Sequence, residues 1–205
     1  MKIVIVSDTH LLHSQLDLPS GDLLIHCGDF YNAGTTDKWL KRINLWLESQ
    51  DQFTNKVYVP GNHDFPLCDW GPSVERMAYA AHCLIDREVN IQGLRIFGSP
   101  WVPGLEGWAY GTEPNDLETW NSIPPGIDIL VTHCPPLQIL DTTEEGLYIG
   151  CEHLRRKVLE IRPKVHCFGH AHAGFGQLIM KSIHFINASQ EFDGKLRSTP
   201  VVITL

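Results

Sequence analysis

The sequence has no CxxC pair among its six cysteines, no membrane-length apolar run and no excess of positive charge. Each absence excludes a class. Without paired thiols, neither a thiolate zinc ribbon nor a disulfide framework has anything to build on. Cys27, Cys83 and Cys167 lie in or beside apolar runs, where a free cysteine behaves as a small buried hydrophobe, so reduced core thiols are expected. Sixteen Lys and Arg against 24 Asp and Glu give a net charge of −8. With no basic stripe, sequence-independent binding of duplex nucleic acid is not expected. A membrane helix needs about 20 apolar residues, and a signal peptide needs a longer apolar segment than MKIVIVSDTH offers. The expectation is a cytoplasmic protein without a membrane partner. Repeats, low-complexity tracts and linkers are also missing, so a single domain spanning 1–205 is expected.

What is present is a series of short apolar, β-branched runs. They fall at 2–6, 22–27, 56–59, 94–97, 127–132, 165–168, 182–186 and 201–205, and read as strands covered on both faces. Helical periodicity separates some of them. Over 37–50, Trp39, Leu40, Ile43, Trp46 and Leu47 mark one face; over 149–161, Leu154 and Val158 do the same and Pro163 ends the helix. Alternation of this kind argues for α/β architecture. The last strands follow one another without a helix, which predicts a second, partly antiparallel sheet. The stretch 99–126 is rich in Gly, Pro and Trp, and so long a loop in a compact domain is usually functional.

The metal-philic side chains fall after the strands. Asp8 and His10 follow the first, in VSDTH; Asp29 follows the second, in HCGDF; Asn62 and His63 follow the third, in VPGNHD. His133 follows a later strand, in VTHCPP, and His170 and His172 another, in CFGHAH. Ligands of α/β sheets bind beyond the carboxyl ends of the strands, so these five loops can converge. The donors are nitrogen and oxygen only, which suits Mn²⁺, Fe or Zn²⁺ in a catalytic site. Seven ligands are too many for one ion that keeps a position open, and the right number for two divalent ions sharing a carboxylate.

Taken in order, DxH (Asp8 to His10), GD (Gly28-Asp29), GNHD (Gly61 to Asp64), His133 and GHxH (Gly169 to His172) resemble the motif set of the calcineurin-like metallophosphoesterases. GSPW (98–101), THCPP (132–136) and VHCFGHAHAGFG (165–176) resemble its small metallophosphoesterase-domain subset in bacteria and animals. Some animal members of that subset lack one GHxH histidine; this sequence keeps His170 and His172. The resemblance implies a four-layer α-β-β-α sandwich with two mixed sheets. It assigns Asp8, His10 and His172 to one metal, Asn62, His133 and His170 to the other, and Asp29 to both. A hydroxide between the metals is implied as nucleophile, with His63 as general acid touching the phosphate alongside Asn62. The sequence departs from the family at GDFYNAG, where Asn32 stands in place of a frequent Asp; either His63 is then a weaker acid–base group or Asp64 supports it instead.

Single residues carry little weight alone. A lone histidine is more often a hydrogen-bonded core or surface residue than a ligand, and His26, His82, His153, His166 and His184 are read that way, with His13 left open. Trp39 and Trp46 are read as core, and Arg155, Arg156 and Lys157 as a solvated helix face. Trp101, Trp108 and Tyr110 fit equally a loop packed on the domain and a stacking surface for a nucleobase, with Trp101 the candidate substrate contact. The expected activity is hydrolysis of a small phosphodiester, such as a cyclic nucleotide, or of a phosphomonoester. The alternatives are a protein phosphatase or nuclease of the same fold, or a non-enzymatic nucleotide-binding scaffold.

Overall fold

The run KIVIV forms a strand, β1 (Lys2–Val6), whose side chains alternate between two buried surfaces. Ile3 and Ile5 enter one apolar cluster and Val4 and Val6 another, as period-two geometry requires of a strand covered on both faces. The computed structural model describes residues 1–32, 38–68, 80–114, 118–197 and 199–205. Strands β2 (Gly21–His26), β3 (Phe53–Tyr58) and β4 (His82–Cys83) follow in the first half of the chain, and β5 (Arg87–Ile91) and β6 (Leu94–Ser99) form a hairpin. Short strands β7 (Val102–Pro103) and β8 (Gly111–Thr112) bracket a loop. The rest are β9 (Ile129–Thr132), β10 (Val165–Phe168), β11 (Gly176–Met180), β12 (Ile183–Asn187), β13 (Glu191–Phe192), β14 (Lys195–Leu196) and β15 (Val201–Thr204). Among the described residues the α-helices are α1 (Lys38–Ser49), α2 (Phe65–Cys68) and α3 (Glu152–Ile161).

Two mixed sheets result. The first runs β15-β1-β2-β3-β4, parallel except for β15; the second runs β11-β12-β10-β9-β6-β5, with antiparallel edges at β11 and β5. Ile3, Leu23 and Val57 of the first sheet meet Ile96, Ile129 and Val165 of the second in one buried cluster. The outer face of the first sheet packs Val4 and Leu24 against Ile43, Trp46 and Leu47 of α1. That of the second packs Leu130 and Phe185 against Leu154 and Val158 of α3. The layers are therefore helix, sheet, sheet, helix, as the sequence implied. Burying each large apolar side chain contributes about 1.5–3 kcal/mol, so the three clusters supply most of the drive to fold.

The sequence reading differs in detail. Val201 to Thr204 does not join the second sheet; it pairs antiparallel with β1 at the edge of the first, Ile3 opposite Ile203. Strands β5 and β11 escaped notice because their exposed faces break the apolar run. Trp39 and Leu40 lie among side chains outside those described, as does Cys68; Trp46 is buried as expected, and Cys27, Cys83, Cys134, Cys151 and Cys167 are buried free thiols. Among the described residues no helix is long and apolar enough to cross a membrane.

The register sets up the site. Val6, His26 and Tyr58 are aligned across β1, β2 and β3, so the loops leaving these strands start from one edge. In the second sheet Cys167 aligns with Val131, bringing the loops after β9 and β10 together. Backbone bonds from Asp8 N to Gly28 O (2.8 Å) and Gly169 N to His133 O (3.1 Å) tie neighbouring loops, and a bridge between Ser7 and Ser189 links the two sheets.

Candidate metal centre

All eight residues singled out by the motifs meet at that edge. His172 Nε2 lies 3.4 Å from Asp8 Oδ1 and 3.4 Å from His10 Nε2. Asp29 Oδ2 is 3.9 Å from His10 Nε2, 3.3 Å from His133 Nε2 and 3.9 Å from His63 Nε2. Asn62 Oδ1 is 3.0 Å from His133 Nε2, and the His170 ring lies 5.2 Å from that of His133. Donor atoms about 2.1 Å from a common ion stand about 3.0 Å apart in octahedral and about 3.4 Å in tetrahedral geometry. The closest separations match that range. Three overlapping groups have donor atoms near enough to share an ion: Asp8, His10 and His172; His10, Asp29 and His63; and Asp8, Asp29 and His133.

The supports of the histidines favour the same use. His10 Nδ1 is 2.8 Å from the Tyr31 carbonyl and His133 Nδ1 2.8 Å from the Cys27 carbonyl. A carbonyl only accepts, so each Nδ1 carries the proton and each Nε2 faces the cluster. His172 Nδ1 stands 2.8 Å from Glu191 Oε2, the carboxylate–histidine pairing that orients metal-bound imidazoles. Ser189 Oγ donates to Asp8 Oδ2 at 2.7 Å, and the His170 backbone N–H donates to the same carboxylate.

Electrostatics point the same way. Asp8 and Asp29 are almost wholly buried, and burial alone would raise both. The bond to His172 and the charges of His133 and His10 instead hold Asp8 well below the carboxylate range. His133 likewise brings Asp29 down to about 2. Against their own burial, Asp29 and Asp8 push His133 up to about 9, while Asp8 and Glu191 push His172 up to about 9. Burial holds His170 down to about 4. Two desolvated carboxylates ringed by imidazoles require positive charge, which bound cations would supply without protonating the imidazoles.

The backbone is strained where it carries these groups. Asp8 (φ 51°), His10 (φ 42°), Asp29 (φ 58°) and His170 (φ 67°) occupy the left-handed region, at a cost of roughly 1–3 kcal/mol each for non-glycine residues. Such strain gathers at functional sites. Gly28 has φ +108°, and a Cβ there would lie 2.3 Å from His133 Nδ1; one at Gly169 would lie 2.2 Å from Asp8 Oδ2. Glycine is what lets these loops approach the candidate ligands.

Two expectations change. Asp64 does not support His63: its Oδ2 accepts the N–H groups of Asp29 (2.9 Å) and Gly61 (2.7 Å), and its Oδ1 that of Tyr31 (3.0 Å). The carboxylate pins three loops instead, while burial, with Asp29 beside it, pushes Asp64 up to about 7. Asn32 reaches the His10 carbonyl at 3.5 Å. Trp101 is fastened to the body of the protein, its Nε1 donating to Asp86 at 2.6 Å and its ring against Tyr110. Among the described residues Trp108 is the tryptophan whose ring meets the cluster, at His63. Sequence reasoning missed Ser189 and Glu191, which follow β12 in ASQEF without a motif to flag them. His26 and His166 are core histidines bonded to Thr9 and Thr132, and His13 is buried against Trp46.

A family model described as calcineurin-like phosphoesterase matches residues 1–174. The chain belongs to that family. It is 35% identical over 215 residues to human metallophosphoesterase domain-containing protein 1, across 92% of this chain and 65% of that protein, so it spans just under two thirds of this relative. A UPF0046 protein of Caenorhabditis elegans is 34% identical over 231 residues, across all of this chain and 81% of its own length. The structure of a phosphopantetheinyl hydrolase from Mycobacterium tuberculosis aligns with TM-score 0.59 at 16% identity, over 92% of this chain and 88% of that one, a likeness of fold. A phosphoesterase of this family is a metal-dependent hydrolase of phosphate esters, and the clustered donors of this chain could hold its metals.

Proposed function

We propose that this chain is a two-metal phosphodiesterase acting on a small, singly charged diester such as a cyclic nucleotide. The position of Asp29 carries the reading: one carboxylate oxygen lies within 4 Å of His10, in the group with Asp8 and His172, and of His133, in the group with Asn62. A shared carboxylate between two donor groups is what a pair of ions requires. Asp8, His10 and His172 would hold one ion, Asn62, His133 and His170 the other, with Asp29 common to both. Mn²⁺ suits the mixed N and O donors. Divalent cations there would supply Lewis-acid activation of water and of a phosphoryl oxygen.

The remaining work falls to the chain itself. His63 is half-buried at the mouth of the cluster, its backbone N–H donating to Asp29 Oδ1 at 2.8 Å. It borders an open cleft of about 460 Å³ shared with His10, Asn32, His172 and Glu191. From there it contacts the phosphoester and delivers a proton to the leaving oxygen. Burial outweighs Asp29 and lowers the His63 pKa, which strengthens the acid but shrinks its protonated fraction near neutrality. Histidines aside, the one charged group among the described lining is the Glu191 carboxylate. Beyond the ions themselves the described lining offers the further phosphates of a polyphosphate no Lys or Arg, in keeping with a small diester. We assign the protein to the cytoplasm, in keeping with the five buried free thiols among the described residues.

The test is turnover by Mn²⁺-reconstituted protein of bis-p-nitrophenyl phosphate against p-nitrophenyl phosphate. Faster cleavage of the diester is expected. No turnover of either, with metal bound, overturns the enzymatic reading; a preference for the monoester overturns the diester assignment.

A further inference from the structure

Trp108 is a large apolar side chain left 40% exposed, although the residues around it in the loop are fastened down. Strands β7 and β8 pair at the base of that loop, Val102 opposite Gly111. Backbone bonds from Val102 N to Tyr110 O (3.0 Å), Gly104 N to Thr112 O (2.8 Å) and Gly111 N to Trp108 O (3.0 Å) close it. Tyr110 Oη donates to the Leu67 carbonyl at 2.8 Å, anchoring the loop to the helix that follows His63. The loop is thus held by backbone bonds and by Tyr110, without the indole of Trp108.

That indole stands beside the candidate acid. Its ring centroid is 4.8 Å from His63, tilted by 56°, and 6.1 Å from Phe65. His63 is flanked on another side by the edge of His10, at 4.9 Å. The imidazole therefore separates the candidate metal ligands from an exposed aromatic ring. A group attached to the phosphorus and lying on the His63 side comes within reach of the indole.

We infer that Trp108 is a specificity-determining residue, whose ring stacks on a planar aromatic group carried by the phosphoester. The inference rests on the phosphoester reading only in taking His63 as phosphate-facing. Aromatic stacking tolerates different rings because each has a π-face, and its loss weakens binding by about 5- to 150-fold. The loop presents the indole before the ligand arrives, so little ordering is required on binding. Trp101, fixed by Asp86, does not share this role.

The experiment compares binding of adenosine 5′-monophosphate and ribose 5-phosphate to Mn²⁺-loaded protein by calorimetry, in the wild type and in Trp108→Leu and Trp108→Phe. The wild type should bind the base-bearing ligand at least 5-fold more tightly. Trp108→Leu should erase most of that preference while leaving ribose 5-phosphate within about 2-fold, and Trp108→Phe should keep most of it. Three results overturn the assignment: no preference in the wild type, a preference unchanged in Trp108→Leu, or equal weakening of both ligands, which marks a support for His63. Binding is read without turnover. A protein that hydrolyses nothing yet shows the pattern loses the proposed function and keeps this inference; one that hydrolyses diesters without it loses only the inference.

Discussion

Replacing Gly28 with alanine should damage the metal cluster more than any cost of backbone strain alone. The residue has φ +108°, and the new Cβ would sit 2.3 Å from His133 Nδ1 and 2.8 Å from its Cγ. His133 is wholly buried, tied to the Cys27 carbonyl at 2.8 Å and facing Asn62 at 3.0 Å, so the ring has nowhere to retreat. The unfavourable φ costs about 1–2 kcal/mol. Overpacking adds about 1–3 kcal/mol. Loss of the Nδ1 hydrogen bond adds about 0.5–1.5 kcal/mol. The sum is about 2.5–6.5 kcal/mol, or roughly 5–26 °C in Tm for a chain of this size. Gly93→Ala is the control. Its φ is +86° and a Cβ there meets nothing within 4 Å. It should cost about 1–2 kcal/mol and roughly 2–8 °C. Thermal unfolding of metal-free protein measures both, and Mn²⁺ titration should show weakened binding in Gly28→Ala alone. Equal Tm losses with unchanged Mn²⁺ binding in both variants would refute the reasoning.

Glu191→Gln removes the carboxylate that orients His172 and should weaken Mn²⁺ binding about 10- to 100-fold, read by isothermal titration; unchanged affinity would deny Glu191 that role. His63→Ala should slow cleavage of a diester with an alkoxide leaving group by about 10²–10⁴-fold, and of p-nitrophenyl diesters far less, since nitrophenolate departs without a proton; equal losses would point away from proton transfer. Burial pushes the His166 pKa down to about 3. A histidine depressed from ~6.5 gives stability that is whole above that pH and lost as pH falls toward about 3, at about 1.4 kcal/mol per pH unit. In His166→Asn the slope of unfolding free energy between pH 6 and pH 4 should flatten by about that amount, measured by urea denaturation; an unaltered slope contradicts it.

The fold was legible because its strands are covered on both faces: KIVIV and the run ending at Thr132 could be nothing but apolar. The candidate ligands were legible because each follows such a strand in a recognisable motif. What escaped depends on contacts across the chain. Ser189 and Glu191 act on Asp8 and His172, more than 180 residues away in the first case, and nothing in ASQEF announces it. Asp64 was misread because adjacency to His63 suggested a partner, while the turn aims its carboxylate at backbone N–H groups of other loops. Which indole is fastened down depends on an acceptor distant in sequence: the Trp101 N–H finds the Asp86 carboxylate. The final strand was assigned to the wrong sheet because an apolar run specifies burial and not its neighbour.

On the proposed reading one carboxylate, that of Asp29, joins two donor groups into a site for two ions. Counting Mn²⁺ per chain after equilibrium dialysis, in the wild type and in Asp29→Ala, tests it most directly. Two ions are expected in the wild type and loss of both in the variant. A single ion in the wild type, or two retained by Asp29→Ala, would contradict it.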